Sequence, residues 1–293
     1  MARQYGFQGL DFWGPTNSSD DMSNLGILFE EWRAAINLEA RNSAEQELIL
    51  TASVTCAPRD DYSVDSIQQQ LDWVHVRGCG ELWPNNWPNF TAAPNALYSP
   101  NYNDVYTINY SITAWINAGL SAKKIVMILP YFGMVWRLVN PKENGIGAPA
   151  AGKGTGIGIR YHAIKNKINL NGAKVIFDER YVVNYCSIGT SWVAFDDVEA
   201  IQHKVSYAKE KGLLGYFVWQ VSYDDNWVLS QSASQDVNIN GSAPVDGKNG
   251  ENKSRRLLAI ILITIAAAVI LLILCSVLFH CWMRNHKTKG NLF

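Results

Sequence analysis

The chain has 293 residues, of which 48% are hydrophobic, with 11 Trp, 13 Tyr and a net charge of −1. Such values are typical of a globular protein with one large or two ordinary domains. Residues 251–293 hold six basic residues and one acid, so the rest of the chain is acidic, which argues against nucleic-acid binding.

The five cysteines and five histidines show no metal-ligand or disulfide spacing, so we expect neither a metal site nor a cofactor. Tryptophan and tyrosine in this number either build an aromatic core or stack on sugar rings.

The first 235 residues alternate strand-like and helix-like segments. Short apolar runs predict strands at 6–12, 47–55, 71–77, 124–133 and 212–220. Apolar residues at helical spacing predict helices at 20–42, 65–70, 104–118 and 199–211. Residues 136–198 show a weaker periodicity with several β-rich pieces. Repeated strand–helix units joined by right-handed crossovers predict an α/β domain with a parallel sheet over residues 1–235.

The end of the chain differs in composition from this domain. Residues 236–256 are rich in Asn, Gly and Ser and predict a linker. Residues 257–279 contain no charged residue, proline or glycine over 23 positions. As a helix they would be about 34 Å long, compared with about 30 Å for the hydrocarbon core of a bilayer. We therefore expect one membrane-spanning helix at 257–279, followed by a short basic tail at 280–293.

The orientation of this span is indicated by Asn-x-Ser/Thr sequons. They occur at Asn17, Asn89, Asn109, Asn240 and Asn252, all before the span, and predict glycosylation. The expected localisation is thus a single-pass membrane protein whose N-terminal body is extracellular or lumenal. The first ten residues have no apolar signal region, which a translocated domain normally needs, so the start of the chain is unusual for this localisation.

Four stretches of the chain carry a family resemblance: LILTASV, GLSAKKIVMILPYFGMVWRLVNP, NYCSIGTSWVAFDDVEAI and GLLGYFVWQVSYDDNWVLSQSAS. From about residue 3 to residue 236 the chain resembles plant class V chitinases of glycoside hydrolase family 18. The resemblance implies a (β/α)8 TIM barrel with an α+β insertion between strands seven and eight, here at about 136–198. It begins just before the family's fourth strand. The expected fold is therefore a partial barrel, strands four to eight, with two open sheet edges.

Joined to a membrane span, this domain resembles the ectodomain of plant chitinase-related receptor-like kinases. The 293 residues contain none of the Gly-rich-loop, HRD and DFG motifs of a protein kinase. The resemblance therefore implies an N-terminally truncated member of that group that lacks the kinase domain.

The stretch FQGLDFWGPT resembles the family's catalytic strand, DGxDxDWEYP. In the family, the final Glu protonates the leaving oxygen while the N-acetyl group of the substrate attacks the anomeric carbon. In this chain Gln8 matches the first Asp of the motif and Asp11 is retained. After a two-residue gap the Glu falls on Gly14, or on Trp13 if the gap is moved. Neither residue is an acid, and the next acid, Asp20, is expected to begin a helix.

A second part of the catalytic motif is also absent. After the sixth strand the family has a Met-x-Tyr-Asp run, whose Tyr and Asp orient the N-acetyl group. At the corresponding places this chain has Cys79 and Gly80. Loss of a general acid alone lowers the rate of the catalysed reaction by about 10²–10⁴-fold. We therefore assign no catalytic residue and expect no hydrolysis.

The resemblance leaves a set of aromatic residues that could bind a sugar. Trp219 matches the Trp at the end of the eighth strand, on which the central sugar stacks. The exit of the seventh strand matches Tyr131, Phe132, Trp136 and Arg137. The alternative for these four residues is packing against the insertion. Trp83 and Trp87, in the loop at 79–103, could extend the groove.

Two further patterns are interpreted as structural. The segment at 147–155 nearly matches a phosphate-binding loop, but Gly154 stands where Ser or Thr is required. The acidic pairs Asp196–Asp197 and Asp224–Asp225 are expected at helix starts.

The sequence therefore predicts a membrane-anchored chitinase-like protein without hydrolytic activity that binds chitin or N-acetylglucosamine oligomers. One alternative is an active family 18 chitinase that uses an unrecognised acid. The other is a truncated, non-functional product.

Overall fold

The computed structural model describes residues 2–13, 19–58, 63–78, 89–100, 105–153 and 158–235. The chain divides into two compact units, Met1–Ile239 and Asn240–Phe293, and every described residue belongs to the first. The predicted linker (236–256), membrane span (257–279) and basic tail (280–293) lie outside the described residues. Within the described part of the chain, no helix has the length and apolarity needed to cross a bilayer.

The strands and helices follow the predicted alternation. In chain order the strands are β1 (Gly9–Phe12), β2 (Ile49–Val54), β3 (Trp73–Val76), β4 (Ile125–Pro130), β5 (Phe132–Leu138), β6 (Ala150–Lys153), β7 (Ile159–Arg160), β8 (Ile176–Asp178), β9 (Val183–Ile188), β10 (Ser191–Phe195) and β11 (Gly215–Trp219). The helices are α1 (Ser19–Ser43), α2 (Val64–Gln70), α3 (Ile108–Asn117), α4 (Tyr161–Asn171), α5 (Val198–Glu210) and α6 (Val228–Ser234). Each strand and helix predicted from an apolar pattern is present, with ends displaced by a few residues.

The first sheet is parallel, with strand order β1-β2-β3-β4-β11. Successive side chains of a strand point to opposite faces of the sheet. On the outer face Leu50, Val74 and Met127 are fully buried in the core formed with the helices. The opposite, inner face is defined by side chains that contact one another across the strands: Asp11, Thr51, His75 and Phe217. The helices therefore cover one side of the sheet, and its polar side chains face the other.

Local hydrogen bonds explain where a predicted helix starts. The helix predicted over 104–118 begins at Ile108 because Thr107 caps it. The Thr107 hydroxyl accepts a hydrogen bond from the backbone N–H of Tyr110 at 3.1 Å. This bond satisfies one of the free N–H groups at the helix start and holds Thr107 in an extended conformation.

The apolar run at 124–133 forms two strands instead of the single strand that its pattern predicts. The strands β4 and β5 belong to different sheets and are separated by Tyr131. The backbone N–H of Tyr131 donates to the carbonyl of Trp219 at 2.9 Å, and its carbonyl accepts from the N–H of Tyr161 at 3.0 Å. Tyr131 is therefore the point at which the chain leaves the parallel sheet and enters the insertion.

The insertion is an antiparallel sheet covered by α4. Its strand order is β6-β5-β10-β9-β8, and β7 pairs with β5. The sheet runs from β5 to β10, residues 132–195, whereas the weaker periodicity placed the insertion at about 136–198. Its core contains Trp136 and Trp192, both fully buried, packed edge to face with ring centroids 5.5 Å apart. These residues form a second apolar core beside that of the parallel sheet.

A buried ion pair joins the end of the insertion to α5. Asp196 follows β10, and its carboxylate accepts a short hydrogen bond from the ammonium group of Lys204. Both side chains are almost fully buried, and the Lys204 ammonium also donates to the carbonyl of Asn95 at 2.7 Å. Burial raises the pKa of Asp196 to about 6 and lowers the pKa of Lys204, while each charge opposes the shift of the other. The pair therefore connects three distant segments at the junction of the two sheets.

Candidate functional site

The carboxyl ends of parallel strands meet at one edge of a sheet, where ligands bind in open and closed α/β folds alike. At this edge Asp11 of β1 accepts a hydrogen bond from the Thr51 hydroxyl of β2 at 2.6 Å. The Nδ1 atom of His75, on β3, lies 3.3 Å from the same carboxylate oxygen. The imidazole ring of His75 in turn packs edge to face against Phe217 of β11, with ring centroids 5.1 Å apart. We call these four residues the lower layer of the inner face.

The lower layer sets the protonation state of Asp11. The interaction with His75 is the largest influence, and together with the Thr51 hydroxyl it lowers the pKa of Asp11, although partial burial acts in the opposite direction. A lowered pKa keeps the carboxylate ionised at neutral pH. A general acid needs the reverse, a proton retained near neutral pH. Asp11 can therefore accept hydrogen bonds but is unsuited to donate a proton to a leaving group.

An upper layer lies two residues further along each of the same strands. Two residues return to the same face of a strand, so Trp13, Ser53, Arg77 and Trp219 follow the inner face towards the carboxyl edge. The indole rings of Trp13 and Trp219 are stacked, with centroids 5.0 Å apart and planes inclined by 9°. The guanidinium carbon of Arg77 lies 5.8 Å from the centroid of the Trp13 ring. Trp13 thus contacts both Trp219 and Arg77.

The described part of the upper layer also contains polar atoms that lack a hydrogen-bond partner. Among the described residues, Ser53 Oγ and Arg77 Nε are buried and have no hydrogen-bond partner. Buried polar groups are nearly always paired, and an exception calls for an explanation. A bound molecule with hydroxyl or amide groups would supply the partners. The carboxyl edge of the parallel sheet therefore has the rings of Trp13 and Trp219 beside the hydroxyl group of Ser53 and the guanidinium group of Arg77.

The structure separates the residues predicted to bind sugar. Trp219 lies in the upper layer and is 40% exposed, as the prediction for it requires. Tyr131 is fully buried, and burial raises its pKa to about 12. Phe132 and Trp136 are buried in the core of the insertion. These two residues therefore pack within the protein, which was the alternative to sugar binding. Arg137 is exposed on β5, where its guanidinium donates to the carbonyl of Ala151 at 3.2 Å. Only Trp219 of the set lies on the inner face.

Trp136 and Arg137 line a different space. A cavity of about 410 Å³ lies between α4 and the antiparallel sheet, and these two residues form part of its wall together with Ile164 and Cys186. The lining residues include no carboxylate, and burial raises the pKa of the Cys186 thiol to about 11. Acid or nucleophilic chemistry is therefore not expected there, which leaves the inner face as the candidate site.

Several predicted positions lie outside the described residues: Gly14, Asn17, Cys79, Gly80, Trp83, Trp87, Asn240 and Asn252. Of the other two sequons, Asn89 is exposed. Asn109 is half-buried, and its side-chain oxygen accepts a hydrogen bond from the Tyr207 hydroxyl at 3.0 Å. Glycosylation at these positions stays a prediction.

The acidic pairs have divided roles. Asp197 caps α5, accepting from the N–H of Val198 at 2.9 Å, and Asp224 accepts from the N–H of Ser230 at 2.9 Å at the start of α6. The helix-start prediction is confirmed for these two. It is wrong for Asp196, because this carboxylate is buried against Lys204 rather than turned towards a helix start.

Sequence reasoning missed six residues of the inner face. They are Thr51, Ser53, His75, Arg77, Phe217 and Trp13, the last of which was considered only as a position for the family acid and not as a ring. A signal for two of them was present. In the strand predicted at 71–77, His75 and Arg77 alternate with the apolar Val74 and Val76, which indicates one polar face. The stacking of Trp13 had no such signal, because it depends on a residue of the last strand.

The chain is similar in sequence to known proteins. The family model described as glycosyl hydrolases family 18 matches residues 1–224. A class V chitinase from Arabidopsis thaliana is 39% identical over 241 residues, which cover 80% of this chain and 63% of that relative. The chain therefore spans less than two thirds of the length of that relative.

Solved structures agree with this match. A class V chitinase mutant from Nicotiana tobaccum, in complex with NAG4, matches with a TM-score of 0.75 and 42% identity over 80% of this chain and 69% of that one. A chitinase-like agglutinin from Robinia pseudoacacia matches with a TM-score of 0.73 and 36% identity over 79% of this chain and 68% of that one. The expected TIM-barrel-like α/β fold is thereby confirmed.

The helix-covered parallel sheet, its antiparallel insertion before the last strand and a family match to residues 1–224 lead to one conclusion. This chain belongs to the glycosyl hydrolases of family 18.

Proposed function

We propose that this chain is a chitinase-like protein that binds chito-oligosaccharides on the inner face of its parallel sheet without hydrolysing them. The observation that carries the proposal is the composition of the upper layer. Where the family's catalytic strand has its acid, this chain has Gly14, or Trp13 if the gap is moved. The ring of Trp13 lies 5.0 Å from that of Trp219. The site has thus kept an aromatic surface but not the proton donor.

The chemistry of the remaining carboxylate supports the absence of hydrolysis. Cleavage of a glycosidic bond requires a proton on the leaving oxygen. In the described part of the inner face the carboxylate is Asp11, whose lowered pKa favours the ionised form. Asp11 is suited to accept a hydrogen bond from a sugar hydroxyl or from an amide N–H group.

The remaining groups suit a sugar ligand. A pyranose ring has an apolar face and polar edges, so it can stack on an aromatic ring that has polar groups nearby. Trp219 offers such a ring, with 40% of its surface exposed. Ser53 and Arg77 bring one hydroxyl and one guanidinium group to the same layer. A solved relative is in complex with NAG4, and another is a chitinase-like agglutinin, so both ligand class and a binding role have precedents in the family.

The proposed localisation follows from the end of the chain. Residues 257–279 form a single membrane span, and the N-terminal body lies on the extracellular or lumenal side, as in the ectodomain of a receptor-like kinase. The uncharged stretch of 23 residues and the sequons before it support this arrangement.

The test is calorimetric titration of the full chain in detergent micelles with chitotetraose. Cellotetraose, which lacks the N-acetyl groups, is the matched control. We expect saturable binding of chitotetraose, weaker binding of cellotetraose and no shorter oligomers by mass spectrometry after prolonged incubation. No heat with chitotetraose at millimolar concentration would contradict the proposal.

A second candidate function is chitin hydrolysis, favoured by the 39% identity to a class V chitinase. It requires a proton donor other than Asp11. Release of shorter oligomers in proportion to the amount of protein, in the same mass-spectrometric assay, would establish it in place of the first proposal.

A further inference from the structure

We propose that Trp13 competes with the sugar for the ring face of Trp219, so that ligand binding requires the two indole rings to separate. The proposal rests on the proposed function of the inner face and concerns its regulation. The contact that motivates it is the parallel stack of the two rings, with centroids 5.0 Å apart. No sugar ring fits between two planes at that separation.

The face of Trp219 that Trp13 covers is the one turned towards the inner space. Trp13 directly follows β1 and Trp219 ends β11, and these strands lie at opposite ends of the sheet. Their rings meet because the sheet curves, as the contacts of His75 with Asp11 and with Phe217 also show. A ring that reaches Trp219 from the opposite end of a curved sheet approaches it from the concave side. A sugar entering the site comes from the same side.

The stack is able to open, because the surroundings of the two rings differ from those of a core pair. Trp13 and Trp219 remain 45% and 40% exposed, whereas the core rings of Trp136 and Trp192 have no exposed surface. The strand β1 ends at Phe12, so Trp13 lies beyond the last residue paired with β2. Separation of the rings therefore breaks no ladder hydrogen bond and opens no core cavity.

Arg77 stabilises the closed arrangement. Its guanidinium carbon lies 5.8 Å from the Trp13 ring centroid, a distance at which a cation attracts an aromatic face. In the closed arrangement the Trp13 ring thus contacts both a cation and a second ring. When Trp13 leaves, Arg77 and the face of Trp219 become available together, which couples a polar and an apolar contact for an incoming sugar.

The size of the effect follows from the strength of an aromatic pair. A stack of this kind favours the closed arrangement by roughly 3- to 10-fold. The apparent association constant is the intrinsic one multiplied by the fraction of open molecules, so removal of Trp13 should raise the affinity for chitotetraose by roughly 4- to 11-fold.

The experiment compares three full-length proteins: wild type, Trp13→Ala and Trp13→Phe. Chitotetraose is titrated by calorimetry, and the circular dichroism of the coupled indoles is followed in parallel. We expect the highest affinity for Trp13→Ala and an intermediate one for Trp13→Phe, whose smaller ring keeps the strand end apolar. The wild-type signal should decrease on saturation and should be weaker in both variants by the contribution of the Trp13–Trp219 pair, whereas the contribution of the Trp136–Trp192 pair remains. Thermal unfolding checks that each variant is folded.

The outcomes separate this inference from the proposed function. If wild type binds chitotetraose and Trp13→Ala binds equally or more weakly, the rings form a joint platform and the inference is wrong, while the binding function stands. An unchanged coupled-indole signal at saturation leads to the same conclusion. If no variant binds, both fail. Tighter binding by Trp13→Ala than by wild type, with a wild-type coupled-indole signal that decreases on saturation, supports the inference.

Discussion

Trp13 and Trp219 lie with their rings nearly parallel, inclined by 9°, although they come from opposite ends of the five-stranded sheet. This contact joins the strand that resembles the family's catalytic strand to the strand that carries the expected sugar-stacking residue. The stack covers one ring face of Trp219, the residue on which the proposed function depends.

The first prediction concerns the ring of Trp219. Replacement by Ala removes the apolar face for a pyranose ring, and we expect the affinity for chitotetraose to fall by about tenfold or more, as for truncation of a central aromatic contact. Calorimetric titration measures this. Tyr110→Ala is the matched control, because Tyr110 is an aromatic residue, 39% exposed, on α3 of the outer layer. An equal loss in both variants would show that the effect is not specific to the inner face.

The second prediction tests the ionised state of Asp11. Asp11→Asn keeps an oxygen for the Thr51 hydroxyl but removes the charge beside His75. A carboxylate whose pKa is lowered on folding contributes stability above its unfolded value of about 3.9, and this contribution is lost as the pH falls through the folded value. The Asp11 side chain is 42% exposed, so the contribution is small. We expect the free energy of unfolding of wild type at pH 7 to exceed that of the variant by less than about 1 kcal/mol.

Urea unfolding of both proteins between pH 7 and pH 2 measures this difference, which should vanish at the acidic end. A difference that grows as the pH falls would contradict the lowered pKa of Asp11.

The third prediction concerns the buried pair of Lys204 and Asp196. Lys204→Met leaves a carboxylate buried without its cation, and we expect the free energy of unfolding to fall by about 3–5 kcal/mol. Adding Asp196→Leu should restore most of the loss, because the unpaired charge is then absent. Chemical denaturation measures all three proteins.

The control for this prediction is the more exposed pair of Arg180 and Asp178, whose atoms approach to 2.8 Å with 69% of the Arg180 side chain and 11% of the Asp178 side chain exposed. Arg180→Met should change stability by less than about 1 kcal/mol. A loss as large as that of Lys204→Met would mean that burial is not the reason.

The fourth prediction separates the core aromatic residues from those of the site. Trp136→Ala opens a cavity against Trp192, and we expect it to lower the free energy of unfolding by about 3–5 kcal/mol. The affinity of the folded protein for chitotetraose should stay within about twofold of wild type, as for a distant independent position. Denaturation and calorimetry measure the two quantities. A large loss of affinity in folded Trp136→Ala would restore this residue to the sugar site.

The fifth prediction concerns localisation. We expect the full chain to remain in the membrane fraction after alkaline extraction, and deletion of 257–279 to release it, because this stretch is the uncharged segment long enough to span a bilayer. Glycosidase treatment should increase its electrophoretic mobility, and Asn89→Gln should reduce that shift, since Asn89 is exposed. Recovery of the intact chain in the soluble fraction would contradict the membrane span.

The sequence by itself determined the strands, the helices and the order in which they occur. The run at 47–55 became β2 and the apolar periodicity of 20–42 became α1, because alternation and helical spacing are local properties of the chain. The expected departure from the family's catalytic motif also comes from the sequence, since it depends on which residues follow Asp11.

Only the tertiary structure decided which of the aromatic residues belong to the site. Phe132 and Trp136 are aromatic, as sugar-binding residues often are. At Tyr131, however, the chain passes into a different sheet, and both side chains are buried in its core. Trp13 acquires its role through Trp219, more than two hundred residues away. Such contacts arise from the curvature of a sheet and from packing between distant strands, which no local pattern records.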